Sequence, residues 1–272
     1  VDVATGDFAQ QWPVLYLDGV LPLELTRSYF STLNGEGGFG QKWSDDWSQH
    51  LIVDNDEIIY WDAEGGAYNY PASRNQVYAQ NERVKEFILF GQKDGELYLF
   101  NRRRQQTLTF SSLDKKEVVD KRYLTAISDR FGNRIDFIYD PNGLQRVNHS
   151  DGYFLRVESD KGRIIGIEYF SEQNSQRLVS CEFNQHEQLI LCDSFQFGKI
   201  AHSYTIEGYM TEWRDTDKTH ATVTYDEKGR VITVLTREGH YSDRFEYHDE
   251  VRHTVYYDAE GGVTHYWYNE DN

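Results

Sequence analysis

Four histidines crowd the C-terminal end of the sequence: His240, His248, His253 and His265, with Asp243 and Glu246 among them. Neutral imidazoles and carboxylates are zinc ligands. The spacing matches no known ligand pattern, however, and His248 and His253 are five residues apart. An odd separation puts two side chains on opposite faces of an unbroken strand. Solvated strand histidines are the expectation, and no metal site is assigned. Asp54-Asn55-Asp56-Glu57 and Asp215-Thr216-Asp217 resemble pieces of calcium loops. Both lack the central Gly and distal bidentate Glu of a full loop, so turn chemistry accounts for them. Paired carboxylates cleave glycosides, but nothing singles out two among 45 acidic residues. Nucleophile-elbow, phosphate-loop and His-Glu-x-x-His patterns are absent. Cys181 and Cys192 are the only cysteines, too few for a disulfide framework or a four-ligand zinc site. They read as ordinary strand residues, with a bond across one hairpin as the alternative. Arg102-Arg103-Arg104, the only basic run, reads as a solvated face or the guard of a sheet edge. No catalytic residue and no cofactor are assigned.

The elements that would position such residues are strands. Aromatics are 15% of the 272 residues, with 20 Tyr, 21 Gly and only 4 Pro. Tyr, Phe, Thr, Val and Ile favour strands, while Gly, Asp and Asn favour turns. No window holds an amphipathic helix with caps. The net charge is -17. That sign repels phosphate, which argues against nucleic acid and anionic membranes as partners. No apolar run approaches the ~20 residues of a membrane helix, and no signal peptide opens the chain. Val1 in place of Met suggests a processed or excised piece.

A repeat runs through the second half. Tyr139-Asp140-Pro141-Asn142-Gly143-Leu144, Glu158-Ser159-Asp160-Lys161-Gly162-Arg163-Ile164 and Tyr225-Asp226-Glu227-Lys228-Gly229-Arg230-Val231 are variants of one pattern. Weaker copies begin at Phe183, Tyr204, Tyr247 and Tyr268. The starts at 139, 158, 183, 204, 225, 247 and 268 are separated by 19, 25, 21, 21, 22 and 21 residues. A second turn lies between them, as Asp129-Arg130-Phe131-Gly132, Thr236-Arg237-Glu238-Gly239 and Asp258-Ala259-Glu260-Gly261. One repeat is therefore turn, strand, turn, strand. Asp accepts hydrogen bonds from N–H groups ahead of it, and Gly takes the left-handed conformation that a three-residue hairpin needs. The Tyr before each Asp is expected to stack on the equivalent Tyr of the next repeat. Glu187 and Val251 stand where the repeat Gly is absent, which predicts longer or irregular turns there.

The first half is less repetitive but keeps the same logic. Asp94-Gly95 lies between two apolar runs, a hairpin signal. Asp62-Ala63-Glu64-Gly65-Gly66 reappears as Asp258-Ala259-Glu260-Gly261-Gly262. Asn34-Gly35-Glu36-Gly37-Gly38 reads as a flexible loop. No Pro- or Ser-rich linker divides the halves, so one continuous sheet is expected. Repeats of this kind bury a core only against their neighbours. The last strand would then be an open edge, able to pair with a second copy. The natural polypeptide is expected to continue well beyond Asn272.

The Tyr-Asp-x-x-Gly copies resemble the YD repeats of Rhs proteins, toxin-complex shells and teneurins. The N-terminal segment sharpens the likeness. Val3-Ala4-Thr5-Gly6-Asp7, Leu21-Pro22-Leu23-Glu24-Leu25-Thr26-Arg27-Ser28-Tyr29-Phe30-Ser31 and Gly38-Phe39-Gly40-Gln41-Lys42-Trp43 are similar to the domain that starts the Rhs shell. The match covers roughly residues 1–60 and 124–272. It implies an all-β fold of stacked antiparallel hairpins, part of a curved, spiralling sheet in an open, barrel-like cocoon. It implies a shell-opening domain over 1–120, continuous with a YD-repeat array over 121–272.

The implied function is a non-enzymatic wall around a C-terminal toxin domain of the same polypeptide. Delivery to competitor cells would follow, by a type VI secretion system through an upstream spike-tip (PAAR-type) domain. Such a protein is bacterial, cytoplasmic before export and then secreted. The residues that matter would be structural: Tyr139, Asp140, Gly143, Gly162, Tyr225, Asp226, Gly229, Gly239 and Gly261 in the repeats, and Arg27, Tyr29 and Trp43 in the opening domain. The family's self-cleavage signature, Asp-Pro-x-Gly-Leu, is matched in letters by Asp140-Pro141-Asn142-Gly143-Leu144. That segment sits in a repeat register, far too early in the shell, and reads as a plain turn. Two rival readings are kept. One is a cell-surface module in which Trp43, Trp47, Trp61 and Trp267 stack on sugars. The other is an all-β glycosidase.

Overall fold

Strands alternate apolar and polar residues from one end of the chain to the other, and in the computed structural model they assemble into two packed layers. The described residues are 1–113, 119–217, 219–236 and 242–269. The first layer contains β1 (Ala9–Leu17), β2 (Leu23–Phe30), β3 (Glu36–Gly37), β4 (Gly40–Gln41) and β5 (Trp43–Asp45). The second begins with β6 (His50–Val53), β7 (Glu57–Trp61), β8 (Ala67–Pro71), β9 (Gln76–Gln80), β10 (Phe87–Gln92), β11 (Leu97–Asn101) and β12 (Gln106–Ser111). It continues through β13 (Asp120–Asp129), β14 (Arg134–Asp140), β15 (Gly143–His149), β16 (Phe154–Asp160), β17 (Arg163–Phe170), β18 (Ser175–Phe183) and β19 (Leu189–Ser194). The last members are β20 (Gly198–Tyr204), β21 (Met210–Asp215), β22 (His220–Tyr225), β23 (Val231–Thr236), β24 (Asp243–His248), β25 (His253–Tyr257) and β26 (Val263–Trp267). Among the described residues the only helix is a short 3-10 turn, Asp249–Val251.

Neighbours in sequence are neighbours in the antiparallel ladder from β9 to β26. β13 is shared along one edge. Its Asp120–Tyr123 half pairs with β6, and Ala126–Ser128 pairs with β14. The sheet of 21 strands is curved but not closed. The all-β, stacked-hairpin architecture expected from the sequence is what forms.

The curvature has a repeated cause. Ile138 faces Arg146, yet Tyr139 faces Leu144, so Gln145 is an extra residue. The same bulge recurs where Ser159 faces Ile164, Phe183 faces Leu189, Tyr204 faces Met210 and Tyr225 faces Val231. A bulge bends its strand and increases the local twist. Placed at Tyr139, Ser159, Phe183, Tyr204 and Tyr225, it bends the ladder at those hairpins.

The expected single sheet is not what residues 1–49 build. β1, β2 and β5 form a separate three-stranded sheet that lies against one face of the large one. Leu15, Leu21, Leu23, Leu25, Tyr29, Phe39 and Trp43 join the large sheet's buried residues in a single apolar cluster. An unbroken run of strands says nothing about which strands share hydrogen bonds, and here the apolar faces decided. The supposed loop at Asn34–Gly38 is also ordered. Glu36 and Gly37 pair with Gln41 and Gly40, and Gly38 N–H donates to Asp45 Oδ2 at 2.8 Å.

Candidate functional site

The repeat chemistry starts in one five-residue loop. In it, residue i donates its N–H to the carbonyl of i+4, and the N–H of i+3 returns to the carbonyl of i. This occurs at Asp62, Asp129, His149, Asn184, Thr205, Asp226 and Asp258. The i+3 residues Gly65, Gly132, Gly152, Glu187, Gly208, Gly229 and Gly261 all have positive φ. At Asp226 the carboxylate accepts from Lys228 N–H at 2.9 Å and Arg230 N–H at 3.0 Å, which holds its pKa below the usual range against the opposing effect of burial. Gly143 has a further reason to be glycine: a Cβ there would lie 3.0 Å from Gly162 Cα. Gly162 N–H donates to Asn142 O at 2.7 Å, so successive turn tips touch through backbone.

Two expectations about missing glycines divide. The Glu187 turn is neither longer nor irregular: Glu187 takes the left-handed conformation at φ 62° inside the ordinary loop. The Val251 turn is irregular, with a 3-10 turn ending on left-handed Arg252. Gly239 lies outside the described residues. The tips are also tied by charge. Lys161 and Arg163 hold Glu187 at 2.6 and 2.5 Å, and Lys228 and Arg230 hold Asp249 at 2.5 and 2.6 Å. Both cationic pairs flank a repeat Gly, and each grips the acid at a following tip. Arg163 first, then Lys161, draws the Glu187 carboxyl down to about 2.

The repeat tyrosines do something the sequence did not reveal. Tyr139 OH donates to Leu124 O, Tyr225 OH to Met210 O and Tyr247 OH to Val231 O, at 2.7–2.8 Å. Ser159 Oγ reaches Leu144 O in the same way. Each acceptor immediately precedes the extra residue of a bulge, where the ladder leaves a carbonyl without its strand partner. At Tyr139, Tyr225 and Tyr247, therefore, the tyrosine caps the bulge one repeat back. The expected stack on the equivalent Tyr of the next repeat is replaced by packing on Tyr123 for Tyr139 and on Tyr209 for Tyr225.

Those bulges also leave N–H groups, and the N-terminal segment supplies their acceptors. Ile164 N–H donates to Gly38 O at 2.7 Å and Val231 N–H to Gly6 O at 2.9 Å. Met210 N–H donates to Tyr29 OH at 2.8 Å, while Tyr29 OH donates to Gly208 O at 2.9 Å. Positions 164, 210 and 231 are equivalent in the repeat. The three stretches that open the chain thus each contribute one cap to a different hairpin. His149 Nε2 meets Leu21 O, Ser194 Oγ donates to Val14 O, and Thr254 Oγ1 donates to Val3 O.

Arg27 is the centre of this docking. Its guanidinium is buried over the rings of Trp43, Trp12 and Phe39, at 4.6, 5.1 and 5.8 Å. Its Nη1 lies 2.9 Å from His202 Nε2. A guanidinium only donates, so Nε2 must accept and the ring is neutral. Burial, and then the Arg27 charge, hold the His202 pKa well below its ordinary value. Trp43 Nε1 donates to Tyr204 OH at 3.2 Å.

The residues that suggested other chemistry are placed otherwise. His248 and His253 do not face opposite sides. A turn separates them, they pair directly across β24 and β25, and their rings stack at 5.3 Å. His265 and Trp267 extend the stack. The described residues contain no group of three or more His, Cys, Asp or Glu able to hold a metal, and His240 lies outside them. Trp43 and Trp47 are buried, so neither presents a face to a sugar, whereas Trp267 is 70% exposed. Asp54 Oδ1 is spent on Asn55 N–H, as in a turn. A cavity of about 710 Å³ opens beside Asp140–Leu144, bordered by Gly38, Asp45, Trp47 and Arg163.

A domain of unknown function, DUF6531, matches residues 1–70. Two proteins of Dickeya dadantii (strain 3937), named probable deoxyribonucleases RhsA and RhsB, are 28% and 27% identical over 254 residues. Each match takes in 91% of this chain and 17% of the relative, so the chain spans about a sixth of those proteins. Among solved structures, TcdB2–TccC3 without its hypervariable C-terminal region is similar at TM-score 0.39 and 11% identity, over 78% of this chain and 12% of that one. The Photorhabdus luminescens Tc holotoxin pore is similar at TM-score 0.38 and 12% identity, over 79% and 14%. The sequence relationship to the Rhs pair runs through both the N-terminal sheet and the bulged hairpins, and the chain is similar to Rhs/YD-repeat proteins over 91% of its length.

Proposed function

We propose that this chain is a non-enzymatic wall segment of an Rhs-type toxin shell, enclosing a toxin domain carried C-terminally on the same polypeptide. The observation that carries the reading is the bulge that recurs at Tyr139, Ser159, Phe183, Tyr204 and Tyr225. A bulge bends its strand, and the 21-strand sheet that carries these bulges is curved, as a wall around a cargo requires. The 1–49 segment seals one face of that wall. Repeat residues Tyr139, Asp140, Gly143, Gly162, Tyr225, Asp226, Gly229 and Gly261 maintain the bend. Gly239 is assigned the same role from its sequence register, and Arg27, Tyr29 and Trp43 hold the seal. Export by a type VI system behind an upstream spike-tip (PAAR-type) domain belongs to the same reading, as does action on competitor cells. The 1–120 and 121–272 portions then act as one wall. Limited proteolysis of the full-length polypeptide, read by mass spectrometry, is the test. The reading expects a large resistant repeat region with a C-terminal fragment protected until denaturation. Free digestion of the downstream part beside a surviving repeat region would refute it.

The exposed stack of His248, His253, His265 and Trp267 favours one second reading, a surface that binds sugars. Glycan-array binding by the isolated chain, lost in Trp267→Ala, would support that instead.

A further inference from the structure

Cys181 and Cys192 face each other directly in the β18–β19 hairpin. Their Sγ atoms are 3.7 Å apart, and both side chains are buried. Directly paired residues in antiparallel strands hold their Cα atoms about 4.5–5.5 Å apart, within the span of a disulfide. Closing the sulfurs to the bond length of about 2.05 Å needs side-chain rotation and no backbone rebuilding. Among the described residues no carboxylate pairs with the buried Arg27 guanidinium. The Arg27 charge acts on both sulfurs.

We propose that Cys181 and Cys192 are a dithiol–disulfide redox site, with Cys192 as the attacking thiolate and Cys181 as the resolving thiol. A cation beside a thiol favours the thiolate, which is the reactive form. The Cys181 thiol donates its hydrogen bond to the Cys192 sulfur, and that bond first, with the Arg27 charge added, lowers the Cys192 pKa. The same bond raises that of Cys181. The oxidant is a hydroperoxide. The Cys192 thiolate attacks one peroxide oxygen, the O–O bond breaks, and the departing oxygen leaves as an alcohol or water after taking a proton. Cys192 is then a sulfenic acid. The Cys181 sulfur attacks the Cys192 sulfur, the S–O bond breaks, and the hydroxyl leaves as water with the Cys181 proton. Two thiols have lost two electrons, and one peroxide has gained them. The bond ties β18 to β19 beside Arg27.

The whole 272-residue chain, purified reduced, is treated with hydrogen peroxide and digested with trypsin. One peptide, residues 178–199, carries both cysteines. It is expected to become lighter by about 2 Da and to resist iodoacetamide until dithiothreitol is added. Cysteines that stay alkylatable, or that climb separately to sulfinic acid, would overturn the proposal. The roles are tested with serine variants and dimedone, which traps sulfenic acids. Cys181→Ser is expected to give a dimedone adduct at Cys192, and Cys192→Ser none at Cys181. The reverse pattern overturns the assignment of attacker and resolver.

Discussion

A single hydroxyl satisfies the bulge carbonyl at each of Leu124, Leu144, Met210 and Val231. Tyr225 OH is the partner of Met210 O, one residue before a bulge. Tyr225→Phe keeps the ring and removes the donor, leaving a half-buried carbonyl without it. The expected loss is about 1 kcal/mol, read as a lower urea midpoint with an unchanged slope. Tyr78→Phe, on a ring that is 75% exposed, is the control and is expected to leave the midpoint where it is. Equal shifts in both variants would remove the capping role. The repeat itself was legible because its chemistry is local: Asp226 serves N–H groups two and four residues ahead. The capping was not legible, because Tyr225 acts fifteen residues back, on a carbonyl exposed only by a bulge. Glu187 misled for a related reason. A left-handed residue is favourable as Gly, but a loop fixed by its neighbours imposes that conformation on Glu as well.

At the scale of elements, the docking of β2 on β20 through Arg27 and His202 depends on pH. His202 is buried and neutral, with its folded pKa far below 6.5. The unfolded chain protonates near 6.5, and the folded one does not. The stability this group supports is therefore complete above that pH and is lost as pH falls below it. Two units below, the loss approaches roughly 2–3 kcal/mol for one group. Asp46 acts the other way, since burial pushes its carboxyl up to about 7. Its cost is present above that pH and disappears as pH falls toward 3.8. The wild-type profile mixes both, so the difference between wild type and His202→Gln isolates the histidine. Gln still offers an oxygen to Arg27 and does not titrate. The variant is expected to melt progressively closer to wild type, and then above it, as pH falls from 7 to 4.5. Parallel profiles would contradict the neutral histidine. The sequence displayed Arg27, Tyr29 and Trp43 as a motif, but not that they lie on the large sheet. Strand periodicity says which face is apolar, and it does not say what covers that face. For the same reason Trp43 could pass for a sugar-stacking residue until its burial was seen.

For the whole molecule, the two layers are held together by groups far apart in sequence, and that predicts how a severed chain behaves. Gly6, Tyr29 and Gly38 cap hairpins at Val231, Met210 and Ile164. Trp12 packs edge-on against Trp213 and His202. None of these contacts needs the connection between the layers to be intact. The turn at Asp54-Asn55-Asp56 is exposed, so a protease site can be placed there in the folded protein; it lies one strand beyond the connection, and the N-terminal piece keeps β6, paired with β7 and β13. After cleavage the two pieces are expected to co-elute as one species and to separate only in denaturant. The reason is area: the N-terminal piece buries Trp12, Leu15, Leu21, Leu23, Leu25, Tyr29, Phe39 and Trp43, at ~25 cal/mol per Å² of apolar surface. Association at that scale outlasts gel filtration at micromolar concentration. If the pieces separate without denaturant, the N-terminal sheet is tethered rather than docked, and the bulge caps supplied by Gly6, Tyr29 and Gly38 contribute little to the seal. If they stay together, the packed faces of the two sheets and the pairing of β6 with β7 and β13 hold the N-terminal piece without a covalent link.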